Sequence, residues 1–307
     1  MEPKLPHSLI VILGPTGVGK SDCAIKIAKA FSTEIISSDS RQIYRHMTIG
    51  TAAVTEEQKQ GVPHHFIQFL EPNEYYSAAQ FERDALLLLE KRFAEHPVMI
   101  MTGGSMLYID AVCNGIDDMP TITDETREMV LNRFEKEGLD SMVEELKSLD
   151  PEYAMEADLK NSKRVLHALE ICIQTKQKFS SFRKNKKKKR PFNIIKIGIN
   201  TERTVLYDHI NKRVDKMVCN GLIEEVKALI EHKDFNSLNT VGYKELFQFF
   251  NGEIELDQAI TDIKTHSRNY ARKQINWFKR DKEIKWFKPD DLEEMMIYIN
   301  QHLSIKG

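Results

Sequence analysis

Short apolar runs alternate with segments of helical periodicity along the chain. Four runs predict buried strands, at residues 9–13, 34–37, 98–101 and 193–199. The segments around 22–29 and 78–94 instead repeat apolar residues at helical spacing. This βα alternation predicts an α/β fold with a doubly wound parallel sheet, whose ligands gather at the carboxyl ends of the strands.

Between about 117 and 190 the pattern becomes helical only. Helices are predicted at 124–137, 139–149 and 164–174, with breaks at Gly138 and at Asp150-Pro151. We therefore assign residues 1–116 and 191–307 to the α/β core and residues 117–190 to an inserted all-helical domain. The insertion ends in a basic run, 183–190, whose composition favours a solvated linker. From residue 201 onward the chain is mostly helical, and Gly221, Gly242 and Gly252 are predicted helix ends.

The first predicted strand leads into residues 14–21, which satisfy the pattern G-x-x-x-x-G-K-[ST]. Glycines let backbone N–H groups close around phosphate oxygens, Lys20 adds a positive charge, and the Ser21 hydroxyl can join a Mg²⁺ shell. Strand, loop and helix follow in the order that a P-loop NTPase-like fold requires. The loop does not reveal which phosphate compound is bound, because the same motif serves several.

Charge and cysteine content exclude some classes. The 307 residues carry 44 basic and 46 acidic side chains, so net charge predicts no polyanionic partner. The four cysteines lack zinc-ligand spacing and are typical of a reducing compartment. The amino terminus lacks a signal pattern and no apolar run is long enough to span a membrane, so we expect a cytoplasmic protein that does not contact membranes.

Two further strand ends carry candidate site residues. Asp39 follows the 34–37 run, where a general base or a metal-orienting carboxylate would lie beside the phosphate loop. From spacing alone, Asp39 or Ser40 is as well explained as the cap of a following helix. Gly103 and Gly104 follow the 98–101 strand and permit close approach of a ligand.

Taken together, these motifs resemble those of the tRNA dimethylallyltransferases, bacterial type. The segments that carry the resemblance are 14–21, 38–44, 49–52, 63–65, 103–108, 164–170, 241–245 and 272–277. The resemblance implies transfer of a dimethylallyl group from dimethylallyl diphosphate to N6 of adenosine 37 of tRNA, in the anticodon stem-loop. It also implies Mg²⁺ as cofactor, and we expect a monomer.

The resemblance assigns chemical roles. It implies that Asp39 is the general base, and that Lys20 and Arg213 stabilise the diphosphate leaving group. Without the resemblance, the spacing around Arg213 favours a surface salt bridge. The implied diphosphate site comprises Gly14, Pro15, Thr16, Gly17, Val18, Gly19, Lys20 and Ser21, with Ser21 as the metal ligand.

The resemblance also assigns tRNA contacts. They are Asp39, Ser40, Arg41, Gln42, Gly103, Ser105, Lys163, Arg164, His167, Thr240, Val241, Gly242, Tyr243, Lys244, Glu245, Lys264, Arg268, Arg272, Lys273 and Gln274. Lys264, Arg268 and Arg272 repeat every four residues, and such a stripe can follow phosphates or be an ordinary solvated face. Ser105 replaces a threonine of the family and keeps its hydroxyl. His167 replaces an arginine, which places its RNA contact in doubt.

Three alternatives remain open. A small-molecule kinase would use the same loop for ATP, but no carboxylate ends the 98–101 strand. A non-catalytic RNA-binding protein would not need Lys20, Ser21 and Asp39. A related enzyme would prenylate free adenine nucleotides in place of tRNA.

Overall fold

The computed structural model describes residues 7–117, 119–184 and 187–304. The strands in these residues are β1 (Ser8–Leu13), β2 (Ile35–Ser37), β3 (His64–His65), β4 (Val98–Gly103), β5 (Asn193–Ile199) and β6 (Lys285–Phe287). They form one parallel sheet in the order β3-β2-β4-β1-β5-β6. The predicted α/β class and doubly wound parallel sheet are confirmed.

The central strand β1 is buried along its whole length, as its unbroken apolar run predicts. Leu13, its last residue, aligns with Gly103 of β4 and Gly198 of β5. The carboxyl ends of β1, β2 and β4 therefore meet at one edge of the sheet. The edge strands β3 and β6 were not predicted, because runs of two and three residues carry too little periodicity.

Helices cover both faces of the sheet. In the described residues they are α1 (Lys20–Ala30), α2 (Glu56–Lys59), α3 (Ala78–Arg92), α4 (Met106–Asn114), α5 (Asp124–Leu149), α6 (Pro151–Glu156), α7 (Ser162–Thr175), α8 (Phe179–Phe182), α9 (Arg203–Cys219), α10 (Leu222–Ala228), α11 (Tyr243–Phe250), α12 (Leu256–Phe278) and α13 (Leu292–Ser304). Two 3-10 helices, Ile230–His232 and Asn236–Leu238, lie between α10 and α11.

Alternate residues of β1 belong to different cores. Ile10 and Ile12 pack in a cluster that contains α1 and α13 residues, whereas Leu9, Val11 and Leu13 pack with α3 and α4. A third cluster joins α9, α10, α11 and α12 to the segment that contains Ile43 and Met47. This third core supports the chain that follows β2, and with it the neighbourhood of Asp39.

Contacts divide the chain into two units, of which one is Asn114–Lys188. The sequence analysis placed these boundaries at 117 and 190. Within this unit α5 is interrupted at Gly138, which has a φ of 78°. The predicted break at Pro151 is the start of α6, where Asp150 accepts a hydrogen bond from the Tyr153 N–H at 3.1 Å.

The other predicted helix ends are found near the expected glycines. Gly221 and Gly242 have positive φ and immediately precede α10 and α11, and Gly252 follows the end of α11. The basic run 183–190 falls partly outside the described residues, at 185 and 186. At its end Arg190 is buried and pairs with Glu82 at 2.7 Å, so this residue is not solvated as the composition predicted.

Candidate active site

The phosphate loop connects β1 to α1, and its backbone needs glycine. Gly17 and Gly19 have φ values of 78° and 95°, which side-chain-bearing residues rarely adopt. A Cβ at Gly14 would overlap the carbonyl oxygen of Ile199 on β5. Gly19 is also the N-cap of α1 and provides no side-chain cap, so the positive end of this helix is open to an anion.

Two cations converge on this loop. The Lys20 ammonium donates a hydrogen bond to the Pro15 carbonyl at 2.7 Å, and the Arg213 guanidinium donates to the Thr16 hydroxyl at 3.2 Å. Burial, and then repulsion from Arg213, lower the pKa of Lys20 to about 7, although the charge of Asp39 opposes both effects. Burial likewise lowers the pKa of Arg213. An anion carrying more than one negative charge would be strongly favoured here.

Asp39 lies in a turn after β2. Its Oδ1 accepts hydrogen bonds from the N–H groups of Arg41 at 2.9 Å and Gln42 at 3.4 Å. It therefore caps a turn, because the next helix in the described chain, α2, begins only at Glu56. Among the described residues no hydrogen bond reaches Oδ2, which is available to accept a proton.

The loop after β4 packs against this turn. The Ser105 hydroxyl accepts a hydrogen bond from the Ser40 N–H at 2.8 Å and donates to the Ser40 hydroxyl at 3.1 Å. A Cβ at Gly103 would overlap Ser38, so glycine permits this close approach. The Gly103-Gly104-Ser105 segment thus holds the Asp39 turn, and the 7 % exposure of Ser105 leaves its hydroxyl little access to RNA.

The phosphate loop and Asp39 line one cavity of about 860 Å³. Arg213 on α9, Tyr270 and Gln274 on α12, and two loops at 48–55 and 239–244 complete its walls. Polar groups lie at the phosphate loop and Asp39, and apolar walls include Ile49, Val54, Ile67, Val214, Met217 and Ile263. Such a cavity suits a ligand with an anionic end and an apolar end.

Gln274 joins two parts of the site. Its Oε1 accepts a hydrogen bond from the Thr16 N–H at 2.9 Å, and its Nε2 donates to the Gly104 carbonyl at 2.8 Å. The side chain is 2 % exposed. Gln274 therefore fastens the phosphate loop to the β4 loop, and its contact with tRNA stays a prediction.

Two other predicted tRNA contacts, Tyr243 and Glu245, are also buried. Tyr243 and Glu245 are 0 % and 1 % exposed. The Tyr243 hydroxyl donates to Glu225 at 2.7 Å, and Glu245 accepts from the Gly242 N–H at 2.7 Å. Both side chains have partners inside the protein, and their contacts with tRNA stay predictions. Their neighbours Thr240, Val241, Gly242 and Lys244 do line the cavity.

The predicted basic stripe on α12 does not have one orientation. Lys264 pairs with Asp215 at 2.5 Å, and Arg268 donates to Asn211 at 2.6 Å, so both are directed at α9. Arg272 and Lys273 are exposed. In the inserted unit, α7 exposes three predicted contacts, Lys163, Arg164 and His167. The distance from Nδ1 of His167 to Oε2 of Glu170 is 3.5 Å.

Sequence reasoning missed Tyr270. It lines the cavity, is 37 % exposed, and lies one helical turn before Gln274. Desolvation, and then the charge of Asp39, raise the pKa of its hydroxyl to about 12, so the ring stays neutral. The available signal was spacing, because Ile263, Ser267, Tyr270 and Gln274 follow a helical repeat and all line the cavity.

Comparisons with known proteins agree with this geometry. A family model described as IPP transferase matches residues 42–281. The chain is 54 % identical over 297 residues to tRNA dimethylallyltransferase 1 of Bacteroides fragilis, covering 97 % of this chain and 99 % of the relative. A relative of the same name from Bacteroides thetaiotaomicron is 52 % identical, with 95 % of each chain covered.

The chain belongs to the tRNA dimethylallyltransferase family. As a member of that family it is a prenyltransferase enzyme. The family's fold is confirmed by the tRNA isopentenylpyrophosphate transferase of Bacillus halodurans, which is 34 % identical with a TM-score of 0.73, covering 97 % of both chains.

A eukaryotic dimethylallyltransferase acting on tRNA is 26 % identical with a TM-score of 0.79, covering 96 % of this chain and 77 % of that one. Of the helices in the described residues, none is long and apolar enough to cross a membrane.

Proposed function

We propose that this chain transfers a dimethylallyl group from dimethylallyl diphosphate to N6 of adenosine 37 of tRNA, giving N6-(dimethylallyl)adenosine. One observation carries the proposal. The phosphate loop, its two cations and the free oxygen of Asp39 all face one cavity whose other walls include apolar side chains such as Ile49, Val214 and Ile263. We also propose that the enzyme acts as a monomer.

Proton transfer is the proposed task of Asp39. N6 attacks the allylic carbon C1, the C–O bond to the diphosphate breaks, and the N6 proton passes to Oδ2 of Asp39. The turn fixes the other oxygen through two N–H groups, so the carboxylate is oriented before the substrate binds.

Stabilisation of the leaving group is assigned to the phosphate loop. Negative charge moves onto the diphosphate as the C–O bond breaks, and Lys20 and Arg213 contact neighbouring atoms of the same loop. Because both cations are desolvated, their attraction for this developing charge exceeds that of exposed groups.

The donor set at the loop also fits Mg²⁺. Among the described residues no group of three or more His, Cys, Asp or Glu side chains can hold a metal, so a metal here needs substrate oxygens and water. Mg²⁺ is commonly bound in that manner, and Ser21, exposed at the start of α1, offers one hydroxyl. Mg²⁺ would neutralise diphosphate charge when bound.

The tRNA is proposed to present adenosine 37 from its anticodon stem-loop, with the base turned out of its stack into the cavity. Unstacking costs a few kcal/mol, which contacts in the pocket must offset. Ser40, Arg41 and Gln42 are positioned at the cavity beside Asp39, and exposed Arg272 and Lys273 supply phosphate contacts nearby. Lys163, Arg164 and His167 remain proposed contacts of the inserted unit.

Incubation with dimethylallyl diphosphate, Mg²⁺ and either tRNA or AMP tests the proposal. Mass analysis of nucleosides should show one dimethylallyl group on adenosine from tRNA, and little on AMP. A transcript with guanosine at position 37 is the matched control and should stay unmodified. Equal modification of AMP would indicate the free-nucleotide enzyme, and phosphoryl transfer from ATP without prenylation would indicate a kinase. Chelation of Mg²⁺ should abolish activity reversibly.

A further inference from the structure

Two sequence segments that the proposed chemistry does not use meet at one carboxylate. The segments are 49–52 and 241–245, and the carboxylate is that of Glu225 on α10. The loop residues Thr48, Ile49 and Gly50 each donate a backbone N–H to it, at 2.9, 2.7 and 2.9 Å. Hydrogen bonds to a charged acceptor are stronger than neutral ones, so this loop is held firmly.

Tyr243 completes the arrangement. Its hydroxyl donates to Oε1 of Glu225 at 2.7 Å, so one carboxylate has four donors. The ring is fully buried and packs against Gly50, where an added Cβ would lie 2.6 Å from a ring carbon. Burial and the nearby Glu225 raise the pKa of the Tyr243 hydroxyl, which therefore remains a donor.

The held loop is in turn connected to the Asp39 turn. The side-chain amide of Gln42 donates to the carbonyls of Thr51 at 3.2 Å and Ala52 at 3.1 Å. The backbone N–H of Gln42 is one of the two groups that bind Oδ1 of Asp39. A continuous chain of hydrogen bonds thus leads from Glu225 through the loop to the carboxylate of Asp39.

We propose that Glu225 is a positioning residue that, together with Tyr243, holds the 48–52 loop and so orients Asp39 toward the acceptor nitrogen. The proposal rests on the proposed function, because it concerns the acceptor side of that same cavity. The phosphate loop receives its support elsewhere, from Gln274. Loss of the Glu225 contacts should therefore impair the chemical step and leave diphosphate binding intact.

Glu225→Gln tests this prediction with little change in shape. An amide oxygen carries no charge, and the amide NH₂ would face N–H donors, so several loop N–H groups lose their acceptor. We expect kcat on tRNA to fall by about 100-fold, the effect of a misplacement near 1 Å. Binding of pyrophosphate with Mg²⁺, measured by calorimetry, should stay within about twofold of wild type. Glu224→Gln, on the exposed neighbour, is the matched control and should behave as wild type.

Tyr243→Phe keeps the buried ring and removes one donor, so kcat should fall by roughly threefold to tenfold. The double variant separates positioning from general stabilisation, because residues that act through one carboxylate are not additive. It should resemble Glu225→Gln alone, with pyrophosphate binding retained.

Wild-type kcat in Glu225→Gln, or equal losses in kcat and pyrophosphate affinity, would overturn the positioning role. The wild-type enzyme reports separately on the proposed function, since prenylation of tRNA by wild type is measured in the same experiment. If Glu225→Gln does not fold, Tyr243→Phe decides: a kcat equal to wild type overturns the proposal, and a selective loss of kcat supports it.

Discussion

At the phosphate-loop end of the cavity, the hydrogen bonds of Lys20 and Arg213 go to neutral oxygens of the loop, at Pro15 and Thr16. On α12, by contrast, Lys264 pairs with a carboxylate and Arg268 with an amide, both on α9. The first pair has positive charge to offer a ligand in the cavity, whereas the charge of Lys264 is paired with Asp215 and Arg268 is directed at α9. Each pair consists of one lysine and one arginine, so residue type does not distinguish the two pairs. Their hydrogen-bonding partners and their burial do.

Removal of the Asp39 carboxylate should have the largest effect. Asp39→Ala is expected to lower turnover by about two orders of magnitude or more, the usual effect of losing a positioned base. Diphosphate binding should be largely intact, because the phosphate loop, Lys20 and Arg213 all remain. Single-turnover kinetics and pyrophosphate calorimetry measure the two quantities separately. Asp39→Asn keeps the turn contacts as a control, and normal turnover in either variant would remove the general-base role.

Loss of either loop cation should come next. Lys20→Ala and Arg213→Ala each remove a charge from the developing diphosphate anion and should cost roughly 3 kcal/mol in the transition state. That cost corresponds to about a 150-fold loss in kcat/KM for dimethylallyl diphosphate. Steady-state kinetics at saturating tRNA provides the measurement. If the rate and the donor affinity were unchanged, Lys20 and Arg213 would offer no charge to the ligand. The proposed difference between them and the cations of α12 would then be wrong.

The pH dependence should distinguish Lys20 from an ordinary exposed lysine. Its pKa is lowered to about 7, by burial first and Arg213 second, so in the free enzyme the cation is lost as the pH rises above about 7. Because kcat/KM reports ionisations of the free enzyme, kcat/KM for the donor should fall about tenfold per pH unit above that value.

Two variants control this pH profile. Lys20→Arg keeps its positive charge, so its kcat/KM for the donor should not fall above pH 7. Ionisation of the donor affects both proteins equally and therefore cancels in the ratio of their kcat/KM values. Arg213→Gln removes the second cause of the lowered Lys20 pKa, so the fall in kcat/KM should begin at a higher pH. A wild-type profile that is flat from pH 7 to 9 would contradict the prediction.

The distance along the chain between contacting residues explains which parts of the site the sequence could predict. The phosphate loop is contiguous, and its neighbour Asp39 follows from the rule that parallel strands end at one edge, so local pattern was sufficient for both. Glu225 contacts Thr48 across 177 positions, and Gln274 contacts Thr16 across 258. Such pairs leave no periodic signal in a single chain.

Burial was the other missing quantity. Tyr243, Glu245 and Gln274 are residue types that commonly bind RNA, yet each is almost fully buried. Their polar atoms must be satisfied inside the protein, since an unpaired buried group costs about 1–3 kcal/mol. Residues with such internal partners hold the parts of the site together.

The smallest effects are expected on α12, where two double variants remove the same charge from different faces. Arg272→Ala with Lys273→Ala takes away two exposed cations, so it should raise the KM for tRNA and flatten its salt dependence, by up to about one unit of slope per lost phosphate contact. Lys264→Ala with Arg268→Ala removes two cations directed at α9. The sequence analysis expected this second pair to carry the salt dependence, and the structure transfers that expectation to the first.

Loss of Lys264 and Arg268 should loosen the packing of α9, which carries Arg213. The effect should be small, because a partly exposed ion pair contributes at most about 1 kcal/mol to stability. We therefore expect a few-fold fall in kcat/KM for the donor and a salt slope for tRNA close to wild type. Measurement of KM for tRNA at several salt concentrations compares the two variants directly, because their net charges are equal. If Lys264→Ala with Arg268→Ala flattens the salt slope as much as the other double variant does, these cations contact phosphates despite their bonds to α9. The distinction between the cations of the phosphate loop and those of α12 would then no longer hold.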